Sequence, residues 1–150
     1  MTLQNLLKIG RLKPHEPNAA EVQRLLAAIR RNLVDAGVTE ISDETRFDVA
    51  YKAVMQCALV AMQAVGYRPA TNEPGHHQTM IQSLPLSLGV SNDVWVVLDA
   101  LRRQRNANDY MGQPITAAAV AECLAQANAL EKALLAHLRA RHPDLLTPVA

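Results

Sequence analysis

Arg105, Asn106, Asp109 and Tyr110 stand within one and a half helical turns of each other, and Arg102 lies one turn earlier. A guanidinium, an amide and a phenol at this spacing can hold and polarise a phosphate. The planar fork of an arginine pairs bidentately with phosphate oxygens. Asn106 would orient the bound group, and Tyr110 would donate a hydrogen bond or stack on a base. No histidine follows Arg105 within reach. A proton shuttle near neutral pH needs a group that titrates there, and a phenol with an ordinary pKa of about 10 does not.

Two other readings of the same residues stay open. Arg105 and Asp109 are four apart on a helix, as are Asp99 and Arg103, so both pairs could be surface ion pairs of small value. Asn106 and Asn108 could simply end the helix, with Tyr110 plugging the end of a bundle. His76 and His77 begin another helix and offer one way to replace the missing proton carrier. His77 is the candidate for acid–base work, against the plainer reading that both imidazoles pack the start of that helix. Cys57 and Cys123 stand at no recognisable metal-ligand spacing from these histidines, so no metal site and no cofactor are expected.

The elements that must position these residues are helical. The chain has 150 residues, 49% of them apolar, but only one Phe, one Trp and three Tyr. Ala and Leu dominate, and both favour helices. One domain over 1–150 is expected, with 1–13 and 144–150 loosely held. A first helix is capped by Asn18, with Glu21 as capping-box partner, carries Val22, Leu25, Leu26, Ile29 and Leu33, and stops at Gly37. A second runs from Ser42 or Asp43 to Gly66. It is apolar around more than half its circumference, which makes it the central helix, with Tyr51 among its core residues. Tyr67 to Gly75 reads as a loop. A short third helix, His76 to Leu84, ends at Pro85. The fourth begins at Ser91 or Asn92 and frays around Tyr110. The fifth is capped by Thr116 and carries Val120, Leu124, Ala127, Leu130, Leu134 and Leu138. No segment shows a strand period. The expectation is an all-α, five-helix antiparallel bundle.

Fifteen basic against fourteen acidic side chains leave a formal charge of +1, so only a local patch could attract nucleic acid. Cys57 and Cys123 fall inside helical patterns and read as reduced core thiols. With no secretory signal and no membrane-length apolar run, a soluble cytoplasmic protein is expected. Trp95 reads as a packing anchor and a candidate dimer contact.

The order of five helices, the Gly75-His76-His77 opening of the third and the Leu98–Tyr110 close of the fourth resemble the HEPN superfamily. The resemblance spans about Leu6 to Leu138. It implies a homodimer with the arginine motifs of both copies in one cleft. Many such domains are metal-independent endoribonucleases, often toxins of toxin–antitoxin systems. Others bind nucleotides or RNA, or act as partners of nucleotidyltransferases. In the ribonucleases an arginine is followed by a polar residue and, after four to six intervening positions, by a histidine. Arg105 and Asn106 match the first two; Tyr110, Met111 and Gly112 occupy the histidine positions. The resemblance therefore implies a nucleotide- or RNA-binding module, possessing ribonuclease activity only in degenerate or partner-activated form. Arg102, Arg105, Asp109 and Tyr110 would form its phosphate site.

A rival reading is specific DNA binding. Leu88-Gly89-Val90-Ser91 resembles the turn of a helix-turn-helix over residues 77–105. Pro85 inside the first helix of that motif opposes it, as do arginines placed at the far end of the second. The third alternative is a purely structural or interaction bundle.

Overall fold

The computed structural model describes residues 1–149 and is mostly helical. Its elements are α1 (Leu3–Lys8), β1 (Leu12–Pro14), α2 (Ala19–Ala36), α3 (Asp43–Ala64), β2 (Tyr67–Pro69), α4 (His76–Gln82), α5 (Leu84–Ser87), α6 (Asn92–Met111) and α7 (Ala117–Arg141), followed by a 3-10 turn over Pro143–Leu146. No helix among the described residues is long and apolar enough to cross a membrane.

The long helices start where capping chemistry places them. Asn18 Oδ1 accepts from the Glu21 amide at 3.0 Å, Ser42 Oγ from Thr45 at 3.2 Å and Thr116 Oγ1 from Ala119 at 3.1 Å. Each satisfies one amide left orphaned by the first turn. The Glu21 carboxylate does not reach back to complete a capping box; it lies 2.9 Å from His15 Nε2 instead.

α3 is the centre, with α2 and α7 packed along it. Phe47, Ala50, Val54, Ala58 and Ala61 are almost fully buried, and the alanines let neighbouring backbones approach. α7 contributes Val120, Cys123, Ala127, Leu130, Leu134 and Leu138 at helical spacing. Each buried leucine contributes about 1.5–3 kcal/mol. Cys57 and Cys123 are both buried and unpaired. Burial pushes the Cys57 thiol up, and raises that of Cys123 to about 12, so both stay protonated at neutral pH.

Four features depart from the sequence-based expectation. The first 13 residues are not loose: Leu6 and Leu12 join the core, and β1 pairs antiparallel with β2 in the register Leu12↔Pro69, Lys13↔Arg68, Pro14↔Tyr67. Three residues are too few to show a period, and a proline in each strand argues against a ladder locally. Gly66, at φ +96°, turns the chain from α3 into β2. The expected third helix is two pieces. Ser83 donates to the Met80 carbonyl at 2.7 Å between them, and Pro85 lies in the first turn of α5, where its missing N–H costs nothing. α6 does not fray at Tyr110; it reaches Met111 and closes on Gly112 at φ +68°. Finally, Leu145 is buried and Gln23 Nε2 donates to the carbonyls of Leu145 and Thr147 at 3.0 and 2.7 Å, so the segment from 144 is held as well; Ala150 lies outside the described residues.

Candidate functional site

The last turns of α6 meet the start of α4 and the middle of α3. α6 buries Leu98 and Leu101, anchoring its inner face. One turn on from Leu101, that same face carries Arg105 toward α3, where its Cζ lies 5.1 Å from the centre of the Tyr51 ring. This is cation–π distance, and such contacts stabilise by about 0.5–2 kcal/mol. Arg105 Nε also lies 3.6 Å from Asp109 Oδ2. Its side chain is 32% exposed, so it is fixed on two sides and open on a third.

His77 completes the arrangement. Its Nδ1 lies 3.3 Å from the Tyr51 hydroxyl, and the His76 ring stands edge-on to it at 4.7 Å. Burial lowers the His77 pKa, with His76, Arg105 and Arg102 adding to the effect. Burial raises the Tyr51 phenol to about 12 against the pull of Arg105 and Arg102. Phenol and imidazole are therefore both neutral at pH 7, and either can donate in their hydrogen bond. Desolvation also raises Asp48, with Asp109 and Glu44 adding and Arg105 opposing.

Two hollows open on either side of the Arg105–His77 pair. A polar one of about 360 Å3 is lined by the Gly75 turn, His76, His77, Gln78, Arg102, Arg105, Asn106 and Tyr110. A second, also about 360 Å3, runs along α3 over a floor of Tyr51, Met55, Leu59 and Met80, with Asp48, Lys52 and Gln56 on its rim. Both volumes lie at the small end of the range for ligand sites, about 300–1,000 Å3.

The structure separates the sequence candidates. Arg102, Arg105, Asn106, Tyr110 and His77 all line the polar hollow. Tyr110 is 82% exposed, so it plugs nothing and leaves a face free for stacking. Asp109 stands behind Arg105 as its counter-ion rather than in the hollow. Arg102 shares Asp99 with Arg103: Arg102 Nε is 2.7 Å from Oδ1 and Arg103 Nε 3.8 Å from Oδ2. Asp99 is itself buried, so this pair is screened less than a surface one. Among the described residues, no three of His, Cys, Asp or Glu gather where a metal could bind.

Tyr51 and Asp48 were not among the sequence candidates. Tyr51 does lie in the core, at 3% exposure, but its hydroxyl faces His77. The available signal was the hydroxyl itself: a tyrosine buried in an Ala/Val/Met-rich helix must find a partner for it. Asp48, Lys52 and Gln56 recur at i, i+4 and i+8, a polar stripe on a helix otherwise read as apolar.

Comparison with protein-family models, with curated proteins and with solved structures returns no match. The functional reading therefore rests on the geometry of the site and the chemistry of its residues.

Proposed function

We propose that the polar hollow binds the phosphate of a nucleotide or RNA, and that the chain is an HEPN-like five-helix bundle whose short extra elements, α1 and α5, decorate the main five. The observation behind this reading is convergence. Arg102, Arg105, His76, His77 and Tyr110 come from two elements distant in sequence and line one hollow. A guanidinium held with its face against an aromatic ring keeps N–H donors at its edge for phosphate oxygens and costs little reordering on binding. Tyr110 supplies a stacking surface worth about 1–3 kcal/mol per base.

The test is binding of a labelled RNA octamer by fluorescence anisotropy, with chelator present. Arg105→Ala is expected to weaken binding at least tenfold while lowering the thermal midpoint only by the few degrees that loss of its contact with Tyr51 implies. Unchanged affinity in that variant overturns the reading.

A specific observation favours ribonuclease activity as a second reading. His77 places a neutral imidazole beside Arg105, in contact with a phenol that stays protonated. It could move the proton that the absent motif histidine would have moved. Metal-independent cleavage would leave cyclic-phosphate ends and would be lost in His77→Ala; intact RNA after long incubation removes this reading alone.

We infer a homodimer from the half-buried Trp95 and the exposed Leu86 and Val96 close to it in the chain, with light scattering of Val96→Glu as its check. A nucleotidyltransferase or antitoxin partner rests on the resemblance only. A helix-turn-helix reading is less supported: its first helix is interrupted between Gln82 and Leu84.

A further inference from the structure

A third hollow, of about 290 Å3, continues the groove beyond His77 and away from Arg105. Leu59, His77 and Met80 line both it and the α3 groove, while Gln63, Arg68 and Thr71 belong to the far end. The three hollows thus form one track with His77 common to all. From Tyr51 to Gln63 it follows α3 for about 18 Å at 1.5 Å per residue. That length exceeds what a single nucleotide can fill.

Two features of the far end lack a structural partner. Gln63 is 6% exposed, lines the hollow, and has no hydrogen-bond partner for Oε1. A buried amide oxygen without a partner is costly, and an incoming N–H donor would relieve it. Lys13 and Arg68 stand directly opposite each other across the β1–β2 ladder, both exposed. Like charges at that position destabilise a ladder, and neither joins an ion pair among the described residues. An anion is what both cations lack. Next to them, Arg11 reaches the Pro74 carbonyl at 3.5 Å, beside the Gly75 turn that opens onto the polar hollow. Glu16, shortly after Lys13, and Glu73, in the loop after Arg68, are the acidic residues nearest to them in the chain, and neither pairs with them.

We propose that Lys13 and Arg68 form a second phosphate anchor, so that the track holds a single-stranded RNA of several nucleotides rather than a free nucleotide. The proposal rests on the reading of the polar hollow as a phosphate site. One phosphate sits on Arg105 and Arg102. The chain then passes over the apolar floor of Tyr51, Met55, Leu59 and Met80, where bases shed water. A later phosphate reaches Arg68 and Lys13, and a base N–H meets Gln63.

The test compares adenosine 5′-monophosphate with 5′-phosphorylated oligoadenylates of two, four and eight nucleotides, by calorimetry on the full chain. In the wild type the tetramer is expected to bind at least tenfold tighter than the mononucleotide. The double variant Lys13→Ala/Arg68→Ala should bring that ratio to within twofold of one. It should also flatten the salt dependence of tetramer binding by about 0.7 in log–log slope, the value for one phosphate no longer neutralised. Arg68→Lys should retain most of the gain, which separates charge from any loss of fold. Arg24→Ala, on α2, serves as the neutral control. Equal binding of mononucleotide and tetramer by the wild type, or a length gain that survives the double variant, overturns the second anchor and leaves the first standing. Absence of binding by every probe removes both. Arg105→Ala is expected to weaken all probes while keeping the ratio, so failure of the first site reads differently from failure of the second.

Discussion

Arg105 packs on one tyrosine and shares the polar hollow with another, and the fold treats the two in opposite ways. Tyr51, from α3, is 3% exposed, with its hydroxyl on His77 and its ring under the guanidinium. Tyr110, from the end of α6, is 82% exposed and lines the polar hollow. One is wall and the other is surface. The contrast separates residues that hold the arginine from residues free to meet a ligand, a distinction that residue type alone does not make.

Substitutions at the two positions test this contrast directly. Tyr51→Ala removes a packed aromatic from the central helix and should cost about 3–5 kcal/mol of stability, read by urea denaturation. Tyr110→Ala should stay within about 0.5 kcal/mol. Comparable losses from both would mean that Tyr110 is also structural. Next in size is Arg105→Ala, whose loss of charged hydrogen bonds should weaken RNA binding by about 1.5–3 kcal/mol. Tyr110→Ala should weaken the same binding by about 1–3 kcal/mol, at the stacking step. Tyr51→Phe keeps the ring under Arg105 and deletes only the hydroxyl; it should cost about 1 kcal/mol of stability and leave phosphate affinity intact.

The smallest effect expected is pH dependence. Folding lowers the His77 pKa below its ordinary 6.5, so the unfolded chain binds the extra proton first as pH falls. Its contribution is complete above about pH 6.5 and is lost progressively as pH drops toward the folded value. His77→Gln should remove that part of the acid-side loss in a series of melts between pH 7.5 and 5. An unchanged profile would mean that the imidazole is solvated despite its place against Tyr51.

The region around Arg105 also shows how far the sequence alone reaches. Arg102, Arg105, Asn106 and Tyr110 were legible because they lie in one helix and helical spacing is local. Their meeting with His77 was a conjecture from the chain, since it depends on how α4 folds against α6. Asp109 fitted the motif by spacing, but its sign and its place behind Arg105 make it a counter-ion. Lys13 and Arg68 were invisible as a pair: two three-residue strands, each with a proline, carry no periodic signal, and their pairing joins distant segments.

The amino-acid order alone determined the helices and their starts, because capping and apolar periodicity act over a few residues. It also determined that α3 would be central, because its apolar circumference leaves it no other stable place. Only the tertiary packing decided which face of α3 meets Arg105, that a buried phenol would reach an imidazole, and that β1 would set Lys13 opposite Arg68, which lines the third hollow. Those outcomes depend on contacts between segments far apart in the chain, where no local preference distinguishes one partner from another.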